Sequence, residues 1–153
     1  MQTSIFTSEP FSVSPFSCSS DMASGALVKT RVAEGDPFYF AVTPDFIRHY
    51  TSGMRNSLVI LSEYSGPYST DLAQSFLSKG TSVYLGWDGS VGLEYVDRVT
   101  SVFISTLCRE GISPDEAADG AMRQVGEDPV WHSELKYLPT WGGIRLPGTV
   151  QAL

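Results

Sequence analysis

The run Ser62-Glu63-Tyr64-Ser65-Gly66 places a carboxylate, two hydroxyls and a glycine directly after the apolar residues Val59-Ile60-Leu61. A second polar run, Gly86-Trp87-Asp88-Gly89-Ser90, follows Val83-Tyr84-Leu85 in the same way. Short apolar runs that close on polar, glycine-bearing residues read as strands, and parallel sheets collect ligands at the carboxyl ends of their strands. Glu63 acts as a general base only if burial makes its carboxylate more basic and a partner group or metal completes the site. A carboxylate is a weak nucleophile towards an amide carbonyl, so it cannot stand in for a thiolate in amide hydrolysis. Ser62 and Ser65 are the hydroxyl candidates. The nucleophile-elbow pattern Gly-x-Ser-x-Gly is absent, because position 63 is Glu and position 67 is Pro. The plain alternative for Glu63 is a polar residue bonded to loop amides at a strand end.

Two readings of the second loop stay open. In one, Trp87 forms an aromatic wall and Asp88 pairs with a basic side chain. In the other, Trp87 belongs to the core and Asp-Gly-Ser is a turn. Asp71, Asp88 and Glu63 are not joined by His or Cys at ligand spacing, so no metal site is expected. Gly66 and Gly86-x-x-Gly89 are too sparse to cradle a phosphate. No cofactor is therefore expected, and a flavodoxin-like ligand-binding domain is the lesser alternative. Trp131-His132 and Trp141-Gly-Gly143 read as a loop and a turn.

These loops need elements to hold them. Leu58 to Leu61 is a continuous apolar run that suits a strand buried on both faces. Ser69 or Thr70 then caps a helix through Lys79 with Leu72, Ala73, Phe76 and Leu77 as its apolar face and Gly80 as its C-cap. Val83 to Leu85 is the next strand. Leu93, Val96, Val99, Phe103 and Leu107 share one face of a long helix that ends at Gly111, with Cys108 on its apolar side. Ser113-Pro114-Asp115-Glu116 is a capping box opening a helix through about Val125, with Gly120 a weak spot inside it. Upstream, residues 26–32 form a short strand and Pro37 to Thr43 a stronger aromatic one. Thr43-Pro44-Asp45 opens a short helix. The segment Leu135 to Pro147 adds an edge strand, where its prolines are tolerated. Residues 1–25, rich in Ser, Thr, Pro and Phe, read as an irregular arm.

Strands alternating with helices predict an α/β domain over residues 26–153: a three-layer sandwich around a mostly parallel central sheet. The 153 residues are enough for one hydrophobic core, and the net charge of −7 argues against gripping nucleic acid or anionic lipid. No apolar run is long enough for a membrane span, and the first residues lack the basic and apolar regions of a signal peptide. Cys18 and Cys108 show no metal spacing, and their pairing cannot be inferred. Compartment is open.

Val59-Ile-Leu-Ser-Glu-Tyr-Ser-Gly66 resembles the nucleophile strand of caspase-fold cysteine peptidases, in the gingipain-type and clostripain-like branches. There a buried strand ends in Ala-Cys-Tyr-Ser-Gly or similar. A helix of the type Leu-Ala-x-x-Phe-Leu-x-x-Gly follows, here Leu72 to Gly80, and then a strand ending in Gly-Trp, here Gly86-Trp87. The long helix, the Ser113 helix and the segment Leu135 to Leu146 continue the likeness, which spans residues 37–147. It implies a caspase-like fold, a pocket near Tyr64, Gly66, Trp87 and Asp88, and a nucleophile at position 63. Two departures matter. Position 63 is Glu, and the family's His-Gly pair is missing: His49 precedes Tyr50 and His132 precedes Ser133. His49 reads as a solvent-facing or C-capping side chain. The expectation is a partial caspase-like domain, truncated on its N-terminal side and inactive as a peptidase. It would act in binding a peptide or protein partner, or as part of a larger protein. The alternative is an active hydrolase completed by another segment.

Overall fold

The computed structural model describes residues 3–12, 18–61, 70–109 and 111–138. The chain is mixed α/β. It divides into two compact units, Met1–Arg55 with Ser69–Gly80, and Asn56–Tyr68 with Thr81–Leu153.

The first unit is built on an antiparallel sheet of β1 (Ile5–Pro10), β2 (Leu27–Thr30) and β3 (Tyr39–Val42), in the order β1-β3-β2. Residues 1–25, expected to be irregular, thus contribute β1 and the short helix α1 (Ser19–Ala23). No periodicity marked β1, because its six residues leave only two of them half-buried and the rest exposed. The aromatic strand β3 takes the centre: Phe40 and Ala41 are buried, and β2 pairs with it from Leu27↔Val42 to Thr30↔Tyr39. Helix α2 (Pro44–Tyr50) starts as expected, with Thr43 at the N-cap and Pro44 in its first turn. The Thr43 hydroxyl does not cap the helix; it donates instead to the Gly25 carbonyl at 2.8 Å, tying α2 to the entry of β2. Helix α3 (Thr70–Ser78) packs on α2 and buries Leu72, Ala73 and Phe76. It stops at Gly80, whose φ of +99° glycine adopts without the Cβ penalty.

The second unit holds the sheet β4-β5-β6, made of β4 (Leu58–Ile60), β5 (Val83–Trp87) and β6 (Leu135–Leu138). β4 and β5 are parallel, in the register Leu58↔Val83 to Ile60↔Leu85, whereas β5 and β6 are antiparallel, from Tyr84↔Leu138 to Trp87↔Leu135. Central β5, not β4, is the strand buried on both faces, with Tyr84, Leu85 and Trp87 all buried; Leu58, Val59 and Ile60 are half-buried, because β4 lies at the edge of the described sheet. Helices α4 (Leu93–Leu107) and α5 (Pro114–Val125) pack against each other and share one core with the sheet. Val96, Val99, Phe103 and Leu107 point into that core with Ala117, Ala118 and Ala121. Each large side chain buried there stabilises by roughly 1.5–3 kcal/mol relative to exposure. The small alanine face of α5 lets α4 approach closely. The expected mostly parallel central sheet is corrected: among the described residues there are two three-stranded sheets and one of the four strand pairings is parallel, because β2 and β3 follow one another without a helix between them and β6 joins β5 in the opposite direction.

The Ser113 capping box is formed: Glu116 N–H donates to Ser113 Oγ and Ser113 N–H donates to Glu116 Oε2 at 2.9 Å. Three expectations for α4 are corrected. The helix ends at Leu107 rather than Gly111, and Cys108, its C-cap, is exposed rather than buried. The apolar stripe stops with the helix, so the thiol one position later turns away from the core. Leu93, placed on the core stripe by its spacing, is 71% exposed. It is the first helical residue, beyond the reach of the packed layer.

Candidate functional site

Sequence reasoning put the chemistry at the carboxyl ends of β4 and β5. Ser62, Glu63, Tyr64, Ser65 and Gly66 lie outside the described residues, as do Ser69 and Trp141 to Gly143. The approach to them is described: Leu61 N–H still donates to the Leu85 carbonyl at 3.0 Å, so the parallel pairing runs to the last described residue before them. The parallel direction assumed in reading Glu63 and Trp87 together therefore holds for the two strands.

Trp87 belongs to the core. It is 2% exposed, packs on Tyr95 with ring centroids 5.4 Å apart, and its indole N–H has no partner among the described residues. Asp88, the next residue, faces out. Its backbone N–H donates to the Glu134 carbonyl at 3.2 Å and its Oδ1 accepts from the Glu134 N–H at 2.8 Å. Lys136 approaches Asp88 Oδ2 at 3.5 Å and also bonds to the Glu134 carboxylate. Those two acids hold the Lys136 ammonium above its ordinary pKa, through the Glu134 hydrogen bond first. Asp88 does pair with a basic side chain, but with one from its own sheet. The strand order puts β6 beside β5, and so Lys136 beside Asp88.

The organising residue of this end of the sheet is Asp128, which sequence reasoning passed over. It is 1% exposed. Its Oδ2 accepts from the Gly92 N–H at 3.0 Å, and its Oδ1 accepts from the N–H groups of Val130 and Trp131 at 2.8 and 2.9 Å. Gly92 is the N-cap of α4 and brings no side chain to that role, so the Asp128 carboxylate supplies the negative charge a helix N-terminus favours. The backbone of Asp128 closes the same loop: its carbonyl accepts from the His132 N–H and its N–H donates to the Ser133 carbonyl, both at 2.9 Å. Burial alone pushes the carboxyl up. The hydrogen bonds from Gly92, Trp131 and Val130 outweigh it, and the net pKa lies below the usual carboxylate value. Tyr95 completes the arrangement, donating to the Gly126 carbonyl at 2.6 Å; burial first, then the Asp128 charge, push its phenol up to about 12. The Asp-Pro pair at 128–129 signals a turn, but nothing local says that the carboxylate reaches across to Gly92, 36 residues away.

This scaffold presents Leu93, Val130 and Trp131 to solvent at 71%, 67% and 45% exposure. The Trp131 ring lies against Gly92, 3.6 Å from where a Cβ would be. His132, in the left-handed region at φ 56°, directs Nδ1 to Glu127 Oε1 at 2.8 Å. Trp131-His132 is thus a loop, as its sequence suggested, but one held by a buried acid.

His49 belongs to the first unit, on the last turn of α2, with its ring edge-on to Tyr50 at 4.8 Å. It lines a cleft of about 270 Å³ with Ser20, Asp21, Ser24, Asp45 and Tyr50. Both carboxylates there are engaged: Asp21 accepts from the Tyr50 hydroxyl, and Asp45 accepts from Arg48 at 2.7 Å. The Asp21 bond holds the Tyr50 phenol above its ordinary pKa. Arg48 also binds Asp71 on α3, so Asp71 clamps two helices of this unit. Among the described residues no group of three or more His, Cys, Asp and Glu gathers as metal ligands, and no helix is long and apolar enough to cross a membrane.

No family model, curated protein or solved structure matches this chain.

Proposed function

We propose that this chain is a caspase-like, three-layer α/β module related to gingipain-type peptidases, with Glu63 in the nucleophile's place. It is silent as a peptidase and works by binding a peptide or protein partner at the loops beyond β4 and β5. The observation that carries the reading is the use made of the acids at this end of the sheet. Asp88 and Asp128 spend their carboxylates on the amides of Glu134, Gly92, Val130 and Trp131, which stiffens the loops. Stiff loops lower the ordering cost of association. His132, the histidine of this unit, bonds to Glu127 at the surface rather than to a hydroxyl or thiol nucleophile. The parallel β4–β5 pair agrees with the strand direction that the resemblance requires.

Incubation with Arg- and Lys-directed peptide reporters tests it, with Glu63→Ala as control. No turnover above buffer is expected from either protein. Turnover that disappears in Glu63→Ala would establish an active hydrolase and overturn the assignment.

A further inference from the structure

We infer that the exposed edge of β2 accepts an extended acidic peptide, which adds antiparallel alongside Lys29 and Arg31 and sets carboxylates at alternate positions against those two cations. The inference lies within the first unit and does not depend on the reading of the loops beyond β4 and β5.

The backbone half of the argument is the direction in which β2 points its amides. β2 has one neighbour in its sheet, β3, so its other edge is not paired there. Antiparallel partners alternate between pairs that exchange hydrogen bonds and pairs that do not. The Thr43 N–H donates to the Ala26 carbonyl at 3.0 Å, which makes Leu27↔Val42 and Lys29↔Phe40 pairs that do not. The Thr7 hydroxyl, on β1, donates to the Phe40 carbonyl at 2.8 Å, so that carbonyl faces away from β2, as this alternation requires. The N–H and C=O of Lys29 therefore point outward from the sheet. Leu27 is buried, whereas Lys29 and Arg31 are exposed, so the edge opens at position 29. An open edge is a template for one more strand.

The charged half selects the partner. The Lys29 ammonium lies over the Phe38 ring at 4.0 Å from its centroid and over the Phe11 ring at 4.7 Å. The Arg31 guanidinium lies over the same Phe38 ring at 5.3 Å. One exposed ring thus gathers two cations, two residues apart on one side of the sheet. The group is tied to the fold: the Phe11 N–H donates to the Phe38 carbonyl at 2.9 Å, and the Phe11 ring packs on buried Phe40 with centroids 5.1 Å apart. Neither cation is ion-paired among the described residues. The Asp36 carboxylate, in the turn between β2 and β3, accepts from the Ala33 N–H at 2.9 Å instead. Two like charges held on one ring favour a partner that brings two anions at the spacing of alternate strand residues. The β2 edge of a second copy would bring like charges to this one, which is unfavourable. A nucleic acid would meet the chain's net charge of −7, whereas a short acidic strand carries only the charges this edge uses.

The test uses the full chain and a labelled synthetic peptide, Thr-Glu-Thr-Glu-Thr, read by fluorescence anisotropy at low salt. Thr-Lys-Thr-Lys-Thr controls for charge. The acidic peptide N-methylated at both glutamates controls for edge pairing, since it keeps the carboxylates and loses the amides that would face β2. The acidic peptide is expected to bind more tightly than either control and to weaken as salt rises. Lys29→Ala and Arg31→Ala are each expected to weaken it about threefold, and together about tenfold, the scale of two exposed ion pairs. Both residues are exposed, and circular dichroism checks that the variants fold. Lys29→Glu combined with Arg31→Glu is expected to reverse the preference towards the lysine peptide, which loss of folding could not do. Equal binding of the acidic and basic peptides, unchanged affinity with both alanines in place, or undiminished binding of the N-methylated peptide overturns the inference. So does tighter binding of labelled oligothymidylate through the same two residues, because the occupant would then be a nucleic acid. Self-association that the two alanines abolish overturns it as well, the occupant then being a second copy.

Discussion

The backbone of Gly89 passes so close to Ser133 that a Cβ at position 89 would lie 2.5 Å from the Ser133 hydroxyl oxygen. Ser133 is 3% exposed and its hydroxyl donates to the Ser90 carbonyl at 2.7 Å, so moving the oxygen aside breaks that bond. The turn after β5 and the loop before β6 are in this way pressed together at one point. That contact, with the Asp128 amide bonds, sets how the end of the sheet is closed.

Gly89→Ala should therefore destabilise by about 1–3 kcal/mol, the usual cost of overpacking. With Ser133→Ala the nearest remaining atom is the Ser133 Cβ at 3.6 Å, which is ordinary contact. The double variant should recover part of the loss, so a denaturant double-mutant cycle should give a coupling well above the error of additivity. Purely additive effects would mean that the close approach is absent in solution.

Asp128 carries a pH signature. Its pKa is depressed on folding from an ordinary value of 3.8, so its contribution is present above that value. It is lost as the pH falls from about 4 through the lower folded pKa. Thermal midpoints measured down the acid range should fall more steeply for the native chain than for Asp128→Asn, which cannot titrate. Asp128→Ala, leaving three amides without their acceptor, should be less stable than Asp128→Asn at neutral pH. Equal stabilities would remove Asp128 from its role as loop anchor.

The α4–α5 pair offers a matched test of helix chemistry. A Cβ at Gly120 would meet Thr106 Cγ2 at 3.7 Å and the end of Arg123 at 3.9 Å, both comfortable. Gly120→Ala should raise stability by about 0.5–1 kcal/mol through helix propensity. Ser113→Ala should lower it by about 1 kcal/mol by removing the cap. Urea midpoints moving in the same direction for both would contradict this placement.

Cys108 is exposed at the end of α4. A thiol reagent added to the folded protein should label Cys108 without denaturant, and Cys108→Ser should leave the melting temperature within about 0.5 kcal/mol equivalent, as for other surface changes. Labelling that requires unfolding would restore the buried placement.

Local patterns in the chain were enough to specify most of the elements. The Ser113-Pro114 capping box, the Pro44 helix start, the Gly80 stop and the apolar run of β4 all depend on neighbours within a few residues, and their signals are strong. The parallel direction of β4 and β5 also followed locally, from the helix pattern between them. What needed the fold were relations between distant segments. Cys108 and Leu93 fall on or next to a helical stripe, yet both face solvent, because burial depends on where the opposing layer ends. β1 forms because β3 lends it hydrogen bonds, not because its own pattern demands a strand. Asp128, an acid before a proline, reads as a turn residue. Only tertiary structure brings Gly92 to it across 36 residues and turns its carboxylate into the cap of α4. Sequence periodicity encodes which side chains seek burial, but the geometry of a loop site is decided by which backbone amides the completed sheet leaves within reach of a buried charge.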